Sequence, residues 1–294
     1  MIDSHCHLDF PDFDEDRDEV LARAVEAGVT AVINPGTDLQ SSRRAVALTE
    51  RYDNVYAAVG VHPHDASTLN RQILAELRQL ASHPKVVAIG EIGLDYYRDL
   101  SPRAQQRAAF EAQLALAADL GRPVIIHQRE SAEDVMAALR DWATGGHPGC
   151  VLHAFSGDEA MANEAVSLGF FIGVGGPLTF KNARQLPEIV TGLPVSCLVV
   201  ETDAPYLAPH PYRGRRNEPA YVVLVAKRLA ELRGTPKIQS GGEVPEGGEV
   251  PGGGEVPVGS GVPTERERGE MVFEELSLHL TDNTQRLFRL LSAA

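Results

Sequence analysis

The 294 residues, 43% hydrophobic and 23% charged, have the composition of a globular chain with a sizeable aliphatic core, which excludes disorder throughout. With 27 Lys and Arg against 41 Asp and Glu the formal charge is −14, so a broad non-specific grip on nucleic acid or anionic lipid is excluded. A phosphate ligand has to be met by a local site or by metal.

Short β-rich apolar runs at residues 1–3, 29–33, 55–59, 86–89, 124–126, 151–152, 170–174 and 198–200 alternate with helical segments. Gly28 ends the first helix, Ser101-Pro102 opens a long Ala- and Leu-rich one that Gly121 closes, and Gly169 ends another. Continuous apolar strands separated by helices imply a parallel sheet covered on its outer face, and eight such units close a (β/α)8 TIM barrel. An open doubly wound sheet is the alternative, but no glycine-rich phosphate fingerprint follows the first strand. A helix is expected from about 219 to 233 after the last strand. Residues 241–263 then read GGEVPE, GGEVPG, GGEVPV and GSGVP, too rich in Gly and Pro to bury a core. Read as a disordered Gly/Glu/Val/Pro repeat insertion at about 238–264, the segment interrupts a single barrel domain spanning 1–294 and precedes a final helix from about 265 to 291. Cys6, Cys150 and Cys197 suit neither a disulfide framework nor a thiolate zinc site. With no apolar run of roughly 18 residues and no signal-peptide pattern in MIDSHCHLDF, a cytoplasmic protein without membrane contact is expected.

The ionisable residues fall at the carboxyl ends of these strands: His5 and His7 after the first, Glu91 the fourth, His127 the fifth, His153 the sixth and Asp203 the eighth. In a barrel those ends share one mouth. His5 and His7, two apart, point to one side of an extended strand while Cys6 points to the other, a packing position. Any one of the six could be a satisfied polar group or a helix cap. Burying all of them together is costly unless a cation organises them. Imidazole and carboxylate without thiolate suit Zn, Mn or Mg, and six ligands exceed the need of one catalytic zinc, so two divalent metal ions are inferred.

SHCHLD, GVHPH, GEIGLDYY, VIIHQRE, HAFSG, GFFIGVGG with PLTFKNA, and ETDAPYLAPHPYRGRRNEP together closely resemble the TatD family of metal-dependent hydrolases. The resemblance runs in order from Asp3 through Glu231 and again at TDNTQRLF. It implies a TIM barrel and a divalent-metal-dependent deoxyribonuclease, usually exonucleolytic, acting on DNA that is single-stranded or at strand ends. Carried over by motif, it implies one metal on His5, His7, Glu91 and Asp203 and another on Glu91, His127 and His153, with Glu91 bridging. Asp203 and Glu91 are the expected catalytic residues, Asp203 orienting the attacking water and accepting its proton.

Glu201 shares a face with Asp203 and is either a partner to a ligating His or a buried structural group. His64 and the pair Arg215 and Arg216, close to Arg213, are expected to bind substrate phosphate, whereas His62 divides between such contact and a structural role. Arg129, Lys181 and Arg184 either add to phosphate binding or are simply exposed, and His83, His147, His210 and His279 read as surface residues. An amidohydrolase-like amide or ester hydrolase is the alternative on the same binuclear site. A non-catalytic scaffold, suggested by the repeat, would be expected to have lost ligand positions, and all six are filled. Oligomeric state is left open, a monomer being compatible with the sequence.

Overall fold

A computed structural model describes residues 1–234 and 265–290, so the expected insertion at about 238–264 lies outside the described residues. Eight strands, β1 (Ile2–Asp3), β2 (Ala31–Pro35), β3 (Val55–Val59), β4 (Val86–Asp95), β5 (Val124–Arg129), β6 (Cys150–Leu152), β7 (Phe171–Val174) and β8 (Leu198–Val200), form one sheet in sequence order. Every neighbouring pair is parallel. The ring closes where the chain leaving β1 meets the chain leaving β8: Ser4 N donates to Val200 O (3.1 Å), Asp203 N to His5 O (2.9 Å) and His7 N to Ala204 O (2.8 Å). The fold is the expected TIM barrel.

The helices between the strands are α1 (Arg17–Glu26), α2 (Leu39–Arg51), α3 (Arg71–Leu80), α4 (Arg103–Leu120), α5 (Ala132–Thr144), α6 (Glu159–Ser167) and α7 (Gln185–Gly192), with α8 (Val222–Gly234) and α9 (Glu265–Phe288) after β8. Their ends follow from local chemistry. Asp38 and Asp158 cap α2 and α6 by accepting from Ser41 N and Met161 N, and Gly121 ends α4 in the left-handed conformation at φ 60°. No helix of the described residues is long and apolar enough to cross a membrane.

Side chains alternate along the strands. Ile33, Ala58, Ala88, Ile125, Val151, Phe171 and Val199 form one buried cluster, the barrel interior, while Val32, Ala57, Ile126, Leu152, Ile172 and Val200 pack into the larger cluster under the helices. Leu287 and Phe288, at the end of α9, join the interior cluster. They enter from the amino end of the strands, because Arg286 donates to Ser196 O before β8, and Arg289 to Gly121 O and Pro148 O before β5 and β6. This plug leaves the polar residues at the opposite, carboxyl mouth.

Two expectations need correction. β4 and β5 run on to Asp95 and Arg129, past the expected ends at 89 and 126, because Glu91 and His127 turn toward other polar groups at the mouth and need not stop the ladder. Gly93 allows the extension: it pairs with His127 at φ 143°, and a Cβ there would lie 2.0 Å from His127 O. His147 is not a simple surface residue. It is half-buried against Phe170 (ring centroids 4.9 Å) and Trp142 (5.5 Å) and pairs with Leu168 O.

Candidate metal centre

The six side chains expected as ligands meet at the carboxyl mouth. His5 and His7 ride on the segment that closes β1 against β8, and Cys6 between them is fully buried in the outer core, as the two-residue alternation requires. His5 Nε2 and His7 Nε2 are 3.2 Å apart. Glu91 Oε2 lies 3.4 and 3.6 Å from these nitrogens, and Asp203 Oδ1 lies 3.7 and 3.5 Å from them. Ligands about 2.1 Å from a common centre in tetrahedral array stand about 3.4 Å apart, so this donor set fits a divalent cation. The other Glu91 oxygen, Oε1, faces a second set: His127 Nδ1 at 2.9 Å, His153 Nε2 at 3.3 Å and His62 Nε2 at 3.5 Å. Three triads of donor atoms lie close enough to share an ion: His5, His7 and Asp203; His5, Glu91 and His153; and His62, Glu91 and His127. Glu91 thus takes part in two of them, and His153 groups with His5.

Burial by itself would raise the Glu91 carboxyl, but His153, His62 and His127 outweigh it and hold the group well below the usual carboxylate range. Burial is likewise outweighed at Asp203, chiefly by the hydrogen bond to His7. Both are therefore anionic at neutral pH. Burial opposes protonation of His153 and His127 too, yet Glu201 and Glu91 raise the first well above its ordinary value, and Asp95 and Glu91 raise the second. His62 is pushed down to about 4 by burial. A cation taking the raised imidazoles must displace their protons, which couples metal affinity to pH.

Two further carboxylates orient these rings. Glu201 Oε1 accepts from His153 Nδ1 (3.1 Å) and from Ala154 N (2.5 Å), leaving His153 Nε2 turned to Glu91. Asp95 Oδ2 accepts from His127 Nε2 (3.1 Å) and His64 Nε2 (2.9 Å), while its Oδ1 accepts from Tyr97 N and Arg98 N. Sequence reasoning missed Asp95, although its spacing of four from Glu91 in an extended strand signalled a shared face. It also left His62 undecided, and the structure brings that ring into the cluster. His5 and His7 have no hydrogen bond at Nδ1 among the described residues and are positioned by stacking, His5 on His153 (3.7 Å) and His7 on Phe10 (4.6 Å). Ala154, next to the candidate ligand His153, and the candidate ligand Asp203 hold left-handed backbone at φ 43° and 57°, a strained conformation.

Because a carboxylate behind a ligating imidazole fixes its tautomer, Glu201→Gln is expected to weaken metal binding roughly 10- to 100-fold. Calorimetric titration of the stripped protein measures it, and wild-type affinity in the variant would make Glu201 a structural hydrogen-bonding group only.

The expected phosphate contacts are less uniform. His64 sits at the rim with its side chain 30% exposed and stacks edge-on against His62. Arg216 needs correction as half of a phosphate clamp, since its fork is filled by Asp16 (Nη1–Oδ1 2.7 Å, Nη2–Oδ2 2.6 Å) and it also donates to Asp12 O. Its work is to fasten the loop after β8 to the segment before α1. Arg213 lies over the Phe180 ring at 4.3 Å, and Arg215 is exposed with no side-chain hydrogen bond to a described residue.

The family model for TatD related DNase matches residues 2–289. The chain belongs to the TatD family. It is 38% identical over 293 residues to an uncharacterized metal-dependent hydrolase, YabD, of Bacillus subtilis, covering 99% of both chains. It is 42% identical over 240 residues to the 3'-5' ssDNA/RNA exonuclease TatD of Cronobacter sakazakii, covering 80% of this chain and 90% of that one. The crystal structure of YjjV, a TatD homologue from Escherichia coli, superposes with a TM-score of 0.81 at 32% identity over 99% and 98% of the two chains. As a TatD-family protein the chain is a metal-dependent hydrolase, and its donor groups at the mouth suit that dependence.

Proposed function

We propose that this chain is a divalent-metal-dependent exonuclease that hydrolyses phosphodiester bonds of DNA, acting on single strands or strand ends. The observation that carries the reading is the Glu91 carboxylate, which turns one oxygen to His5 and His7 and the other to His127, His153 and His62. That the TatD relative from Cronobacter sakazakii is a 3'-5' ssDNA/RNA exonuclease supports the choice of nucleic acid and of single strands. Two divalent ions, bound by His5, His7, Glu91 and Asp203 and by Glu91, His127 and His153 with His62 beside them, would supply an activated water and neutralise charge on the phosphoryl oxygens.

The chain's own residues do the rest. Asp203, whose side chain is 15% exposed against 4% for Glu91, reaches into the mouth and accepts the proton of the attacking water. His64 at the rim and Arg215 in the loop after β8 meet phosphate oxygens. The test is to strip the protein of metal, restore it with Mg, Mn or Zn, and follow end-labelled linear and circular single strands of DNA and RNA. Metal-restored degradation of linear strands with circles left intact is the expected result. Cleavage of circles overturns the exonuclease assignment, and inertness toward every strand overturns the nuclease reading.

A further inference from the structure

Resting on the nuclease reading, we infer that Tyr206 is a stacking platform for a nucleobase flanking the scissile phosphodiester. An aromatic ladder leads from the donor cluster to solvent. His7 stacks on Phe10 with centroids 4.6 Å apart and planes 19° apart, and Phe10 meets Tyr206 edge-on at 6.2 Å. Tyr206 ends the ladder 55% exposed. A phosphate at the cluster thus has its nucleoside within two ring contacts of this side chain.

The exposure of Tyr206 is built, not incidental. Asn217, fully buried, donates from Nδ2 to both Thr202 O (2.8 Å) and Tyr206 O (2.7 Å), and Tyr206 N donates to Asp203 O (2.9 Å). One buried amide therefore fixes the turn that carries Asp203 inward and Tyr206 outward, so the ring is presented at little ordering cost. Across the rim, Tyr97 is just as exposed but is covered by the Arg129 guanidinium at 3.9 Å, whereas no cation lies over Tyr206 among the described residues.

Charge leaves room for such a contact. On a chain of net charge −14, with Arg216 held by Asp16 and Arg213 and Arg129 laid over Phe180 and Tyr97, Coulomb attraction to the strand is weak. Base stacking on an aromatic ring supplies affinity without positive charge and tolerates every base, as an exonuclease requires.

The test compares wild type, Tyr206→Ala and Tyr206→Phe, each metal-restored, on single strands that are ordinary or abasic at the last two positions of the degraded end. Tyr206→Ala is expected to raise the half-saturating concentration about tenfold on ordinary strands, Tyr206→Phe less than about twofold, and the Ala penalty should shrink to about twofold on abasic strands. An Ala penalty equal on both strands, or none on ordinary strands, overturns the stacking role alone. Failure of the wild-type protein to degrade any strand overturns the nuclease reading and this inference with it.

Discussion

Glu91→Gln is expected to lower turnover by about three orders of magnitude and to remove at least one equivalent of bound metal, while the barrel stays folded. Gln keeps the shape of the buried side chain, so packing is not the cause. What changes is that one of the two oxygens becomes an amide nitrogen, which cannot ligate, and the shared negative charge disappears. Oε1 stands 2.9 Å from His127 Nδ1 and Oε2 3.4 Å from His5 Nε2, so either orientation of the amide deprives one donor set. About 4 kcal/mol of lost charge stabilisation corresponds to the thousandfold loss. The histidines facing the site would then lose the carboxylate that holds their protons, and His153 and His127 should titrate lower in the stripped variant than in the stripped wild type. Elemental analysis, single-turnover rates and histidine titration by NMR report the three effects separately. Two retained equivalents of metal and an unchanged rate would remove Glu91 from the bridging position.

Asp203→Asn should cost about 10²- to 10⁴-fold in turnover with little change in half-saturating substrate, the signature of a group that acts on a proton and not on substrate binding. The choice of Asn is dictated by the backbone: at φ 57° a side chain that tolerates the left-handed region is needed, and Asn is among the best. The wild-type carboxyl is opposed by burial but held below its usual range by His7 and its neighbours, so it remains basic down to more acidic pH than an ordinary aspartate. Any acid limb of the rate profile near neutrality therefore belongs to protons competing with metal for the histidines, and that limb should persist in the Asn variant. Stopped assays from pH 5 to 9 on both proteins check this. A variant with wild-type turnover across that range would assign the proton to another group.

Much of this site was legible before the fold. Barrel strands announce themselves as apolar runs of a few residues, and a ligand set at their carboxyl ends is drawn together by symmetry, whichever helices intervene. His5 and His7 needed only the two-residue alternation, whereas Glu201 was left between a partner to a ligating histidine and a buried structural group, and its contact with His153 comes from the loop after β6. The plug of Leu287 and Phe288 was not legible, because an apolar helix end reads alike whether it covers the barrel or enters it.

The amino-acid sequence by itself determined the strand count, the barrel and the identity of the six converging side chains, since each depends on local periodicity and on residue type at a strand end. Only the tertiary structure decided which groups stand behind them. His62 joins Glu91, Asp95 links His64 to His127, and Asp16 takes the Arg216 fork that phosphate was expected to fill. Those pairings cross from one strand or loop to another, and their partners depend on registers such as the shift between Ile89 and Ile92 where β4 meets β5. A one-residue change in register moves a side chain to the other face of its strand, so hydrogen-bond partners between strands are set by how the barrel closes.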